Sequence, residues 1–332
     1  MRSKALVLLL SLPSLSGCIV IPGLSSLMRQ DMEEVIVEDS DRLFVRDKIL
    51  LLDISGVISE AKEEQVLSEG TSLVEDVRES LRLAREDPRI RAVIVRIDSP
   101  GGTVTASDLI HHELRRYAEE TGVPITAMLM DVAASGGYYV ASAADRIVAS
   151  PTTVTGSIGV IMLTVDVQGL EDLVGVQVGA VTSGPFKDIM SPFRPMTGEE
   201  REILQSVIDG LYGRFVETVV AGREGRGLSA EDVRGLADGR IFTAQQALDA
   251  GLVDSVGYLP ELIDELTREL GLDDPQVVAH RRGAWGRYNV YSQLPRAPVV
   301  NVNLLSADSV TQGLGPGFHY LWMPGALRLS RR

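Results

Sequence analysis

The chain has 332 residues, 45% of them hydrophobic and 23% charged, which is ordinary for a globular protein and enough for a sizeable core. Its net charge of −14 argues against nucleic acid as a partner, since that binding rests on Lys and Arg neutralising phosphates, and against adhesion to an anionic lipid surface by charge alone. A single cysteine leaves no internal disulfide, so stability must come from packing.

Residues 1–18 read as a charged stretch (M-R-S-K), a short apolar run (A-L-V-L-L-L-S-L) and a small-residue site ending in L-S-G-C. That is the layout of a secretory signal, and the apolar run is too short to span a bilayer. Cys18 closes it, and L-S-G-C resembles the bacterial lipobox, in which the cysteine is lipidated and becomes the new N-terminus. The resemblance implies a lipid-anchored protein on the exported side of a bacterial membrane. Residues 19–47, with acidic clusters at 31–34 and 38–41, are expected to be a linker.

From residue 48, strands and helices alternate. K-I-L-L-L-D-I-S-G-V-I (48–58) is a mostly apolar run, the mark of a strand buried on both faces. Ser72-Leu-Val-Glu75 predicts a capping box opening a helix that ends at Asp87-Pro88. A-V-I-V-R-I-D is the next strand, followed by a glycine turn and a helix over about 105–121. P-I-T-A-M-L-M, D-R-I-V-A-S, G-V-I-M-L-T-V and V-Q-V-G-A-V-T read as further strands. Thr197-Gly-Glu-Glu200 caps a long helix to about 221. Shorter helices are expected near 229–237 and 243–250, with Gly251 as a C-cap, and a last one near 259–270. This alternation predicts a mainly parallel α/β core. The organisation expected is signal 1–18, linker 19–47, one α/β domain over 48–271 and a tail over 272–332.

The tail carries Pro275, Pro295, Pro298, Pro316 and Pro324, clustered arginines and both tryptophans, Trp285 and Trp322. Its apolar run F-H-Y-L-W-M-P would be an unusual exposed patch on a soluble body. Such a segment is expected to pack on a neighbouring subunit, in a groove that otherwise takes substrate, or against the bilayer.

The chemistry centres on Ser135 in D-V-A-A-S-G-G-Y-Y and Lys187 in S-G-P-F-K-D. A serine hydroxyl is a weak nucleophile until a neighbouring base takes its proton. A lysine serves only as a free amine, which burial in an apolar pocket favours, and arginine never supplies one. Lysine is scarce here: the others are Lys4, Lys48 and Lys62, and the last two read as surface residues. Ser135 on its own reads equally as a helix N-cap. Asp98-Ser-Pro-Gly-Gly102 closes an apolar strand with glycines that let backbone N–H groups face a site. Ser157 in T-G-S-I-G is by type alone a turn serine. His111 and His112, beside Glu113, Arg115 and Arg116, read as a solvated helix face, and His280 and His319 fall in the tail. No cysteine–histidine cluster suggests zinc, and no phosphate loop of the G-x-x-x-x-G-K-S/T form is present.

Six segments, K-I-L-L-L-D-I-S-G-V-I, R-I-D-S-P-G-G, D-V-A-A-S-G-G-Y-Y, T-G-S-I-G-V-I, S-G-P-F-K-D-I-M-S-P-F-R-P-M-T and G-R-I-F-T-A-Q-Q-A-L-D-A-G-L-V-D, occur in this order over roughly 48–270. In order and spacing they resemble the signal peptide peptidase A family of Ser-Lys proteases, within the Clp-protease/crotonase superfamily. The resemblance implies a fold of repeated β-β-α units, Ser135 as nucleophile and Lys187 as general base. It further implies an oxyanion hole from the Gly102 and Gly136 N–H groups, and Ser157 in support of the lysine. No cofactor and no metal are implied. The expected partners are peptide substrates such as signal peptides, membrane lipid through Cys18, and copies of the chain in a ring, with the lysine of one subunit completing its neighbour's site. Two other functions fit parts of the pattern: a crotonase-type acyl-CoA enzyme, which needs no serine nucleophile, and a non-catalytic scaffold of the same fold.

Overall fold

The computed structural model describes residues 31–42, 44–62, 70–164, 166–169, 173, 175–282, 288–292 and 317–322. The signal segment with Cys18 lies outside the described residues, as do Trp285 and the arginines at 287, 328, 331 and 332.

Strand β1 (Met32–Glu38) lies inside the stretch expected to be a linker. It is followed by β2 (Lys48–Ser55), helix α1 (Leu73–Glu86), β3 (Ile90–Ser99), β4 (Gly101–Thr103) and α2 (Val104–Thr121). Next come β5 (Ile125–Ala134), α3 (Gly136–Ala141), β6 (Arg146–Ala149), β7 (Val154–Gly156) and β8 (Ile161–Met162). After a long connection follow α4 (Gly198–Gly222), α5 (Ala230–Leu236), β9 (Ile241–Thr243), α6 (Ala244–Asp249), β10 (Ser255–Val256) and α7 (Leu259–Glu269). Two strands, β11 (Gln276–Arg282) and β12 (Phe318–Leu321), come from the tail. The main sheet runs β1-β11-β2-β3-β5-β6-β10, and β7 extends the end of β5 and pairs with β9. All its pairings are parallel except β1 with β11 and β7 with β9. This is the mainly parallel α/β architecture the alternation predicts.

The apolar run of β2 has a two-sided cause. Ile49 and Leu51 face one layer, with Leu259, Leu262, Ile263 and Leu266 of α7. Leu50, Leu52 and Ile54 face the other, with Val77 and Leu81 of α1, Ile110 and Leu114 of α2 and Tyr138 of α3. Each such side chain contributes about 1.5–3 kcal/mol on full burial, so neither face tolerates a polar residue. Helix α1 starts at the expected box: the Glu75 N–H donates to Ser72 Oγ (3.2 Å) and the Ser72 N–H to Glu75 Oε2 (3.0 Å). It stops at Glu86, with Asp87 as C-cap, and Pro88 cannot continue the ladder. Helix α4 opens on the matching Thr197–Glu200 box.

Besides the expected linker and tail, which supply β1 and β11 to the main sheet, two readings change. V-Q-V-G-A-V-T (176–182) is not a strand; it is exposed along its length. It is rich in valine as strands are, but among the described residues it belongs to neither sheet. Lys48 is not a surface lysine. It is 2% exposed, and its Nζ donates to both oxygens of Glu34 (2.7 Å to Oε2) and to Asp87 Oδ2 (2.8 Å). Strand β1 supplies Glu34, so the same tertiary pairing that ordered the supposed linker buried the lysine. Among the described residues no helix is long and apolar enough to cross a membrane.

Replacing Lys48 by Met should destabilise the fold by about 2 kcal/mol, less than the loss of a fully buried pair because Glu34 keeps 35% of its side chain exposed. The Asp87 carboxyl is held below its ordinary range, first by the bond from Arg89 and then by Lys48. Its contribution is therefore complete above about pH 4 and lost as pH falls through the lower folded-state value. Denaturant midpoints measured against pH should show that acid limb, and Asp87→Asn should flatten it.

Candidate active site

The carboxyl ends of β3 and β5 converge on one corner of the sheet. At the end of β3, the Val132 N–H of β5 donates to Asp98 Oδ1 (3.2 Å). Ser99 Oγ donates to the Gly56 carbonyl (2.6 Å) and accepts from the Gly101 N–H (3.0 Å). These bonds fix the turn into β4. One edge of β4 is then used by Ile58: its N–H donates to the Gly101 carbonyl (2.9 Å), and the Thr103 N–H donates to the Ile58 carbonyl (2.8 Å). Successive peptide groups of a strand point to opposite edges, so the Gly102 N–H and carbonyl face the other way. No side chain fits at this point. A Cβ on Gly102 would lie 1.8 Å from the Ile58 carbonyl oxygen, and Gly101 has φ +96°.

Strand β5 runs straight into Ser135, which takes φ 53° and ψ −115°. A non-glycine residue there costs roughly 1–3 kcal/mol and persists only if its surroundings impose it. They do: the Ser135 N–H donates to the Gly156 carbonyl (2.7 Å), and the Ser135 carbonyl accepts from the Tyr139 N–H (2.8 Å). Ser135 stands at the N-cap position of α3 but makes no side-chain cap bond. Its hydroxyl is fully buried and, among the described residues, has no hydrogen-bond partner. The plain N-cap reading therefore does not account for this side chain. The Gly136 N–H is brought beside the glycine strand, since a Cβ on Gly101 would lie 2.6 Å from the Gly136 nitrogen.

Strand β7 pairs with β5 so that Gly156 lies opposite Ala134, which sets Ser157 and Ser135 at the same corner. Ser157 also has positive φ, 52°, and its N–H donates to the Arg240 carbonyl (2.7 Å). Lys187 lies elsewhere. It is exposed, in a turn where its N–H donates to the Gly184 carbonyl (3.2 Å). That turn is clamped by Arg194, which donates to both carboxylate oxygens of Asp188 (2.8 Å each) and to Glu200 Oε2 (2.9 Å). The Arg194 bonds pull Glu200 down to a pKa of about 2, so the clamp holds at any ordinary pH. A single chain thus gathers Gly102, Ser135, Gly136 and Ser157 and leaves Lys187 outside the group.

Next to Ser135 lies an aromatic wall that the motifs do not announce. Tyr139 packs edge-on to Phe215 (ring centroids 5.0 Å apart) and to His111 (5.3 Å). The Tyr139 hydroxyl donates to Asp108 Oδ1 (2.6 Å) and accepts from Thr218 (3.0 Å). His111 is not on a solvated face, and burial pushes its pKa down to about 4, so it is neutral at pH 7. The signal available in the sequence was Tyr138-Tyr139 directly after the glycines; which aromatic residues they meet depends on the distant helix α4.

Residues 117–273, which include Ser135, Gly136, Ser157 and Lys187, match the model of peptidase family S49. A protein of Synechocystis sp. with a provisional protease name is 40% identical over 232 residues, 70% of this chain and 78% of that one. A protein of Enterococcus faecium, provisionally named signal peptide peptidase SppA, is 34% identical over 239 residues, 72% of this chain and 68% of that one. A solved structure titled as a membrane-bound stomatin-specific protease with a substrate peptide covers 71% of this chain and 93% of its own at 15% identity, with a TM-score of 0.48. The family match, with identity of 34% and 40% over more than two thirds of the Enterococcus and Synechocystis proteins, shows that the chain belongs to peptidase family S49.

Proposed function

We propose that the chain cuts peptide bonds with Ser135 as nucleophile and Lys187 as general base, the lysine coming from a neighbouring copy. The observation that carries this reading is the Ser135 hydroxyl, buried and unpartnered on a strained backbone between two glycine edges. An unpartnered buried hydroxyl costs about 1–3 kcal/mol, which a purely structural serine has no reason to sustain. The exposed arm around Lys187 supports supply from another copy. Leu173 and Val181 on it are 82% and 106% exposed, and Val176 is 53% exposed, an apolar surface suited to another subunit.

In this reading Ser135 Oγ attacks the peptide carbonyl carbon while its proton passes to the neutral Lys187 amine. The carbonyl oxygen becomes an oxyanion facing the Gly102 and Gly136 N–H groups, each donor contributing roughly 3–4 kcal/mol to the barrier reduction. The tetrahedral intermediate collapses as the lysine returns the proton to the leaving amine, giving an ester on Ser135. Water, deprotonated by the same amine, hydrolyses the ester. Ser157 keeps the amine directed at Ser135. The proposed substrates are signal peptides left in a membrane after export, with the enzyme held there by lipid on Cys18.

Ser135→Ala, Lys187→Ala and Lys187→Arg should each abolish hydrolysis of a fluorogenic peptide without lowering the melting temperature, because nucleophile and base act as a unit and a guanidinium stays protonated. Ser135→Ala and Lys187→Ala chains, unfolded and reassembled together, should recover about a quarter of wild-type activity, since each group then comes from half of the subunits. A mixture that assembles and stays inactive would refute supply from a neighbour. Cys18→Ser should move the mature protein from the membrane to the soluble fraction, and a tightly bound mutant would contradict lipid anchoring.

A further inference from the structure

The turn that carries Lys187 has little structure of its own. Residues 183–193 lie in neither helix nor strand. Their backbone is held by single bonds of successive turns: the Ile189 N–H donates to the Phe186 carbonyl (3.2 Å) and the Ser191 N–H to the Asp188 carbonyl (2.9 Å). Met190 takes φ 68°, which is uncommon for a residue with a side chain. Among the described residues, one backbone bond, from the Val167 N–H to the Pro192 carbonyl (2.9 Å), ties this stretch to the other limb of the arm. The link to the helical body is a guanidinium.

Arg194 Nε donates to Asp188 Oδ2 and Nη2 to Asp188 Oδ1 (2.8 Å each), and Nη2 also reaches the Asp188 carbonyl (3.3 Å). On its other side Nη1 donates to Glu200 Oε2 (2.9 Å) and Nη2 to Glu200 Oε1. Glu200 is buried, and its Oε2 also accepts the Thr197 N–H (2.8 Å) in the box that opens α4. One planar fork therefore grips two carboxylates, which the point charge of a lysine ammonium cannot reproduce. The turn is fixed in this way to the start of a 25-residue helix.

The same bonds dispose of a charge. A lysine takes a proton from serine only as a free amine, and a carboxylate within about 4–6 Å favours the ammonium instead. Asp188 follows Lys187 directly in the chain. Both side-chain bonds that its carboxylate accepts come from Arg194, and they hold its pKa below the ordinary range. The carboxylate nearest to the lysine in sequence is thus turned towards another cation. A lysine that serves a neighbouring copy has no site of its own to orient it, so its posture and its charge surroundings must be set within its own chain.

We infer that Arg194 is a positioning residue for peptide hydrolysis: it fixes the Lys187 turn to α4 and keeps the Asp188 carboxylate engaged, so that this carboxylate does not pair with the lysine amine. This rests on the reading of Lys187 as general base. It adds a residue that acts only through Lys187 and Asp188.

The test compares full chains carrying Arg194→Met, Asp188→Asn, both together, and Arg194→Lys, with a fluorogenic peptide at neutral pH. Assembly size and melting temperature are measured for each. Arg194→Met should lower kcat about a hundredfold, the scale of a catalytic group displaced by about an ångström, and leave KM within about twofold. Asp188→Asn, which loosens the turn but frees no carboxylate, should lose less. Arg194→Lys, which keeps the charge without the fork, should fall between wild type and Arg194→Met. Adding Asp188→Asn to Arg194→Met should recover about tenfold in kcat, the scale of removing one charge beside a titrating amine. A purely structural clamp predicts the opposite, since the double variant has lost more bonds. A double variant no faster than Arg194→Met would overturn the engagement of Asp188. A near-normal kcat in Arg194→Met, or a loss confined to KM, would overturn positioning. Where Arg194→Met fails to assemble, Arg194→Lys with and without Asp188→Asn gives the same comparison. A wild-type chain that cuts no peptide, or a Lys187→Ala chain that cuts normally, would overturn the underlying reading and the role of Arg194 with it. Active wild type, inactive Lys187→Ala and unimpaired Arg194→Met would overturn the role of Arg194 alone.

Discussion

The Gly102 N–H faces away from the body of the fold because Ile58 takes the other edge of β4. Most of the site depends on that division. A three-residue strand can offer a donor to a passing peptide only if its remaining groups are satisfied from behind, and Ile58 satisfies them. Close approach from behind is what forbids a side chain at Gly102, so the requirement for glycine comes from the support as well as from the ligand. Ser99 then earns its place in the turn: its hydroxyl ties the Gly101 N–H and the Gly56 carbonyl together, fixing the height at which β4 leaves the sheet.

The two ends of the parallel sheet resolve polar burial in opposite ways. At the amino ends of β2 and β3, the buried Lys48 ammonium is paired with Glu34 and Asp87, so the charge is met where it is least hydrated. At the carboxyl ends, Ser135 is left with a strained backbone and an unpartnered hydroxyl. The first arrangement stabilises; the second costs, and it persists because the strands on both sides of β5 are packed on two faces. Deep burial of β3 and β5 therefore serves the chemistry indirectly, by over-determining the one residue that ordinary backbone preferences would relax.

Local signals in the sequence were reliable where one segment carried its own evidence. The Ser72–Glu75 and Thr197–Glu200 boxes formed as written, helix α1 stopped before Pro88, and Gly251 follows α6 at φ +74°. Gly102, Ser135, Gly136 and Ser157 sit in three glycine-framed motifs at strand ends, Ser135 and Gly136 sharing one, and their grouping was implied by the family resemblance of those motifs. What failed depended on partners remote in the chain. The acidic stretch 32–38 reads as solvated until β11, some 240 residues later, supplies a strand for it to pair with, as the register of Met32 with Arg282 shows. Lys48 reads as exposed until Glu34 arrives with that strand. The stretch 176–182 has the composition of a strand, but among the described residues it belongs to neither sheet, since composition alone cannot state whether a neighbouring strand exists. The tail run F-H-Y-L-W-M-P was visible as an apolar segment in need of cover, and three covers fitted it equally until the register with β4 was known.

The tail is fastened at two places along one path. Arg96 of β3, itself paired with Asp53 of β2, donates to the Val290 and Ser292 carbonyls, so the chain is anchored on the same strand that leads into β4. Strand β12 then pairs over four residues, three of them opposite β4 and two opposite β8. The strand that positions Gly102 and the strand that anchors the tail are therefore one continuous piece of chain, interrupted only at Pro100, and what orders the tail at its root also sets where β4 stands.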